Sequence, residues 1–222
     1  MYWCPTGPFA FLPIHAAGRY EADTDYASQY FVSSYTPTVD PLLVDDPTES
    51  IDPFSMLAVI QSKAPGIQKT DPGSLPPLPC TETELRNIRK HVPSKSLVVL
   101  GDSDAVASVE IVESHMPKSS IVHFACHGTQ SQTNPLRKSG LHIGDGVLTI
   151  ASIVKQPLPN GSLAFLSACE TAMGVKKMPD EAMSLGACLL YSGFRRVVAT
   201  MWYIRLCLPL IPGITSQISF LL

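Results

Sequence analysis

Five apolar runs, each of strand length and too short for a helix, constrain this chain more than any other feature: SMLAVIQ (55–61), SLVVL (96–100), SIVHFAC (120–126), SLAFLSA (162–168) and RVVATMW (196–202). Their apolar residues run on without the in–out alternation of a half-exposed strand, so both faces of each must be covered. Parallel sheets bury strands in this way, and they need a long crossover, usually a helix, between successive strands. The spacers supply such crossovers. Thr81 with Glu84 three residues on forms a capping box, Leu85 and Ile88 then fall on one face, and Pro93 marks the end. A second helix fits 104–115, with Val106, Val109 and Val112 facing inward, and a third fits 180–192, from Asp180 to Gly193. The fold class is therefore α/β, a mostly parallel sheet with helices on both faces.

The rest of the chain is less regular. Most of the 20 prolines lie before residue 94, which predicts loops and short strands there. Strands are expected on either side of a Thr6-Gly7-Pro8 turn and over 28–35, loops over 36–53 and 64–80, and a small hairpin around Leu141–Thr149. The folded domain is assigned to residues 1–202. Residues 203–222 form an apolar tail without helical period, expected to be unstructured.

Composition narrows the function. Apolar residues are 45% and charged residues 16%, and the net charge of -3 with no basic run argues against nucleic acid. No apolar stretch has the length and continuity of a membrane span, and no charged segment followed by an apolar one opens the chain; the expected location is cytoplasmic. The 6 cysteines form no CxxC pair and no zinc spacing, so reduced thiols and no metal are expected. Cofactor signatures such as GxGxxG and GxxxxGK[ST] are missing from the sequence, and no cofactor is expected.

Two of the five strands end in chemistry. SIVHFAC runs into His127-Gly128, and SLAFLSA runs into Cys169-Glu170-Thr171. Ligands of open parallel sheets bind beyond the carboxyl ends of the strands, so adjacent strands would present His127 and Cys169 side by side. An imidazole there can take the thiol proton and later return it to a leaving group. The backbone N–H groups of Gly128 and Cys169 are the candidate donors to an oxyanion. His123 lies deeper on the same strand face and reads as a hydrogen-bonded core histidine, while Cys126 points to the opposite face as core. That alternation separates Cys126 from His123, His127 and Cys169, which weakens any zinc site. His15 reads as structural, and His142 is placed on the hairpin with no role.

IVHFACHG, LAFLSACETAMG and DEAMSLGACLLYSGFRRVVATMW, in that order, with FLPIHAAG near the start, resemble the CHAT domain family, a caspase-like branch of the clan that includes separase. The resemblance covers roughly residues 1–202. It implies a caspase–haemoglobinase fold and thiol endopeptidase activity, with His127 as base, Cys169 as nucleophile and a protein or peptide as substrate. The histidine precedes the cysteine by 169 − 127 = 42 residues, near the roughly 50 of caspases, although SACET departs from the caspase signature. The ending also departs. The family continues past VVATxW with an acidic residue, a helix and a strand, where this chain reads YIRLCLPLIPGITSQISFLL. The expectation is a truncated or altered C-terminus, and an upstream helical-repeat region missing from this chain.

Two other functions fit parts of the sequence. One is a catalytically silent interaction domain on the same fold. The other is an esterase with Ser103 of LVVLGDS as nucleophile; such enzymes need a histidine late in the chain, and nothing after His142 can serve.

Overall fold

The structure, a computed structural model, describes residues 1–19, 25–39, 42–43, 53–62, 76–78, 80–102, 106–168, 172, 174–175, 183–201 and 218–221, the last four by backbone alone. Its strands and helices, in chain order, are β1 (Tyr2–Trp3), α1 (Ala27–Tyr30), β2 (Ser34–Tyr35), β3 (Met56–Ile60), α2 (Cys80–His91), β4 (Leu97–Leu100), α3 (Val109–His115), β5 (Ile121–Ala125), β6 (His127–Thr129), α4 (Pro135–Lys138), β7 (Gly140–Ile143), β8 (Gly146–Thr149), α5 (Ile150–Val154), β9 (Leu163–Ser167), α6 (Leu185–Tyr191), β10 (Arg196–Thr200) and β11 (Ile218–Leu221). The five predicted runs become β3, β4, β5, β9 and β10, and they pair in parallel in the order β10-β9-β5-β3-β4. The α/β reading with a mostly parallel sheet therefore holds.

Side chains alternate across that sheet and explain the unbroken apolar runs. Leu57 and Val59 of β3, Val122 and Phe124 of β5, Ala164 and Leu166 of β9, and Val197 and Ala199 of β10 share one cluster with Val112, Ile153 and Leu189 of α3, α5 and α6. The other set, Ala58, Ile60 and Ala125, packs with Leu85 and Ile88 of α2. Strands β3, β4 and β5 thus contribute apolar side chains to both clusters, β9 and β10 to the first, and this burial supplies most of the stabilisation.

The helix ends differ from the predicted ones for local reasons. Helix α2 opens at Cys80, and the buried Thr81 hydroxyl donates to the Leu78 carbonyl at 2.8 Å, so Thr81 is not the cap. Helix α3 opens late because Ser108 caps it, accepting from the Ile111 N–H at 3.2 Å. Val106, predicted inward, lies before that cap and is 70% exposed. Helix α6 is capped by Ser184, which accepts from the Ala187 N–H; Asp180, the predicted start, lies outside the described residues. Gly193 ends the element as predicted, at φ 121°, where an added Cβ would sit 2.6 Å from the Leu158 carbonyl oxygen.

The proline-rich N-terminal part departs most. After β1 the chain takes two 3-10 turns, Gly7–Phe11 and Ile14–Ala16, in place of a second strand. Within 28–35 only Ser34–Tyr35 is strand, because residues 27–30 turn into α1. His15 is structural in character: its Nδ1 and its backbone N–H both meet the Tyr35 hydroxyl, at 2.8 and 2.9 Å. The hairpin at 140–149 is present, as β7 and β8, with β6 added to it as a third antiparallel strand. In the tail, Ile218–Leu221 run antiparallel to β10, from Val197 opposite Leu221 to Thr200 opposite Ile218. Residues 202–217 and 222 lie outside the described residues.

Candidate active site

Strand order reverses between β3 and β5. The chain leaves β3 for β4 on one side and leaves β5 for β9 on the other, and such a reversal opens a crevice beyond the carboxyl ends of the strands. Strands β5 and β9 are parallel neighbours, as the sequence predicts, with Ala125 opposite Ser167. In sequence, His127 and Cys169 each follow that matched pair by two residues.

His127 opens β6, and its ring is half-buried at the crevice. Its Nε2 lies 2.7 Å from the carbonyl oxygen of Pro76. A carbonyl can only accept, so Nε2 carries the proton and the neutral ring keeps its basic lone pair on Nδ1. Pro76 belongs to the segment entering α2, and two backbone bonds tie this region to the sheet: Leu78 N–H to Ser62 O and Gln61 N–H to Ala125 O, both 2.8 Å.

Cys169 itself lies outside the described residues. Its neighbours are held by one residue of β10: the Thr200 hydroxyl donates to the Ala168 carbonyl at 2.7 Å, and the Thr200 carbonyl accepts from the Ala172 N–H at 2.9 Å. The loop after His127 reaches the same region. Gln130 Nε2 donates to the Met183 carbonyl at 2.9 Å, and Gln132 Nε2 approaches the Gly174 carbonyl at 3.5 Å. The described residues flanking the two motifs are therefore tied to one another and to the end of β10.

Below this edge lies a polar group of three. Glu84 of α2 accepts from Ser167 Oγ at 2.9 Å and meets His123 Nε2 at 2.8 Å. The His123 ring also stacks on Phe165 of the neighbouring strand, with centroids 5.0 Å apart and planes 13° apart. His123 is thus the hydrogen-bonded core histidine the sequence suggests. Glu84, read from sequence as half of a capping box, instead bolts α2 to β5 and β9. Cys126 is fully buried on the opposite face, and burial, then the Glu84 charge, pushes its thiol far above the usual range. Burial pushes the Cys188 thiol up to about 11. Neither is available as a thiolate near neutral pH. Cys4 is a free, exposed thiol, whereas Cys80 is disulfide-bonded, against the expectation of reduced cysteines throughout.

A family model described as CHAT domain matches residues 1–206. The chain belongs to the CHAT domain family. The caspase-like fold class expected from the three sequence motifs is supported by the same match together with the parallel sheet. Among curated proteins, nothing matches the chain significantly.

In this CHAT domain His142, given no role from the sequence, stands directly across the β6/β7 ladder from His127. Its Nε2 is 2.5 Å from the Thr129 hydroxyl oxygen. Burial, then the nearby His127, holds the His142 ring below the ordinary imidazole range. A depressed folded pKa means the folded state resists protonation that the unfolded chain accepts. Stability is then complete above the unfolded value of about 6.5 and falls as pH drops below it toward the folded value. His142→Gln should flatten that acid-side decline in the urea midpoint measured from pH 7 to pH 5; an unchanged slope would show that His142 does not drive it.

Sequence reading passes over Pro76, Glu84, His142 and Cys80. The one available signal was His123 itself: a histidine inside an apolar strand requires a partner, but nothing in the sequence says that the partner is 39 residues upstream. Gly101 and Asp102 form a bend directly after β4. Gly101 has φ 85°, an added Cβ would lie 2.3 Å from the Ile60 carbonyl oxygen, and Asp102 pairs with Arg89 at 3.0 Å. Ser103 lies outside the described residues. Among the described residues no three His, Cys, Asp or Glu side chains gather to hold a metal, and no helix is long and apolar enough to cross a membrane.

Proposed function

We propose that this CHAT domain is a cysteine endopeptidase acting through His127 and Cys169, a cytoplasmic module of a signalling protein that cuts protein or peptide substrates. The observation that supports the reading is the parallel pairing of β5 and β9, two neighbouring strands whose sequence continuations carry His127 and Cys169. The Pro76 carbonyl adds to it by leaving Nδ1 of His127 as the basic nitrogen. In the reaction, Nδ1 takes the thiol proton of Cys169 and the thiolate attacks the scissile carbonyl. The N–H groups of Gly128 and Cys169 hold the oxyanion. As the C–N bond breaks, the imidazolium gives its proton to the departing amine, and water then hydrolyses the thioester with His127 again as base.

The test is labelling of the reduced protein with a thiol-reactive peptide probe below pH 8, followed by mapping of the modified cysteine. Cys169 should label faster than Cys4, which serves as the exposed reference thiol, and His127→Ala should remove that advantage while the fold persists. Equal rates at both cysteines would instead favour a silent interaction domain. Ser103→Ala should leave peptide cleavage unchanged; cleavage that survives Cys169→Ala and disappears with Ser103→Ala would establish the esterase-type nucleophile.

A further inference from the structure

A circuit of contacts closes beneath His127, and one carboxylate completes it. Ala125, two residues before His127, is paired in register with Ser167 of β9. Its carbonyl accepts from the Gln61 N–H at 2.8 Å, and the Ser62 carbonyl next along accepts from the Leu78 N–H at 2.8 Å. The Leu78 carbonyl in turn accepts from the Thr81 hydroxyl at 2.8 Å. Glu84 stands about one helical turn beyond Thr81, and its Oε1 accepts from Ser167 Oγ at 2.9 Å, which returns the path to β9. Its other oxygen meets His123 Nε2 at 2.8 Å, so one carboxylate grips two adjacent strands from α2.

The Pro76 carbonyl hangs from this circuit. Pro76 lies two residues before Leu78, and both Pro76 and Pro77 have a fixed φ. The direction of the carbonyl therefore follows where Leu78 and the first turns of α2 are held. That carbonyl is the group 2.7 Å from His127 Nε2. Two kinds of force hold α2. Leu85 and Ile88 pack with Ala58, Ile60 and Ala125, and such apolar contact is non-directional. It keeps the helix on the sheet without fixing its rotation or its slide along the strands. Charge-assisted hydrogen bonds are short and directional. An ionised carboxylate only accepts, so Glu84 takes both the Ser167 hydroxyl and the His123 N–H, and removes that remaining freedom.

We propose that Glu84 is the positioning residue of His127: it locks the register of α2 on β5 and β9, and so keeps the Pro76 carbonyl on Nε2 and the lone pair on Nδ1. That Nδ1 then serves as a base rests on the peptidase reading; the hold on Nε2 does not. Glu84 acts through the Pro76 segment and not by contact with the imidazole.

The experiment follows the His127 Nε2 proton by NMR in the full chain, labelled with nitrogen-15 at histidine, with the signal assigned by its loss in His127→Gln. Held on a carbonyl, this proton exchanges slowly with water. Glu84→Ala should speed its exchange at least about fivefold, the equivalent of one net hydrogen bond. In Glu84→Gln the amide can still accept from His123 and donate to Ser167 Oγ, and exchange should return to within about twofold of the parent. Ser167→Ala opens the circuit, leaves the Glu84–His123 bond, and should speed exchange in the same direction. Phe124→Ala separates positioning from stability: it weakens the fold from the other sheet face and should leave the exchange rate unchanged. In peptide cleavage, Glu84→Ala should lower kcat about tenfold or more, with KM within about twofold. The inference is overturned by exchange that stays within about twofold of the parent in Glu84→Ala, or in Ser167→Ala should the first variant not fold. An equal rise in Phe124→Ala, or cleavage by Glu84→Ala at the parent kcat, overturns it as well. If the proton responds as expected while the parent neither cleaves peptide nor takes up the thiol-reactive probe, the positioning stands and the peptidase reading falls.

Discussion

Replacing His127 with alanine should lower kcat/KM for the best of a set of fluorogenic peptides by about a thousandfold, equivalent to about 4 kcal/mol of transition-state stabilisation. The size follows from the several duties of one ring. In the proposed reaction it accepts the thiol proton, holds the thiolate as an ion pair, and returns the proton to the amine, so its loss would leave a mostly protonated thiol and an unassisted leaving group. Cys169→Ala should abolish cleavage by removing the atom that forms the thioester. The two changes act on one unit, so the double variant should be no worse than Cys169→Ala alone. His127→Ala should also keep its urea midpoint near the parent value, because the ring is only half-buried and its bond to Pro76 is one hydrogen bond, worth about 1 kcal/mol net. A loss of activity smaller than about tenfold would remove His127 from the reaction.

The fold is legible in the sequence where burial on both faces leaves little choice. The runs at 55–61, 96–100, 120–126, 162–168 and 196–202 all become strands of one parallel sheet, and burial of their side chains in its apolar clusters outweighs local propensity. Legibility fails where local chemistry competes. Residues 28–35 have the composition of a strand, but Gln29 Oε1 accepts the backbone N–H groups of Asp25 and Tyr26 and turns the segment into α1. Around the site, the two strand-end motifs place His127 and the neighbours of Cys169 because they are local features on adjacent strands. Pro76, Glu84 and His142 reach the site from distant points of the chain, across 51 residues in the case of the Pro76–His127 bond. Single-residue patterns do not encode such contacts. The Glu84 case is instructive: Thr-x-x-Glu satisfies a capping box on paper, but a buried histidine and a buried serine offered its carboxylate two stronger partners.

Phe124→Ala should cost about 3–5 kcal/mol of unfolding free energy, a large fraction of the roughly 5–15 kcal/mol that holds a domain together. Phe124 is fully buried in β5, flanked in register by Val59 and Leu166, and its ring belongs to the cluster under α3, α5 and α6. Truncation there removes apolar area and leaves a void that the flanking strands cannot close, since both are pinned by parallel pairing. The ring also lies on the opposite sheet face from His123 and Ala125, the side from which α2 and Glu84 support the site. Stability and chemistry should therefore separate. The urea midpoint should fall steeply, while the rate at which the remaining folded molecules label at Cys169 below pH 8 should stay within about twofold of the parent. A loss under about 1 kcal/mol would mean that the cluster is not the core that sets the sheet. A labelling rate that falls in step with the midpoint would mean that the active edge depends on packing from both faces, and that β5 transmits strain along its length to His127.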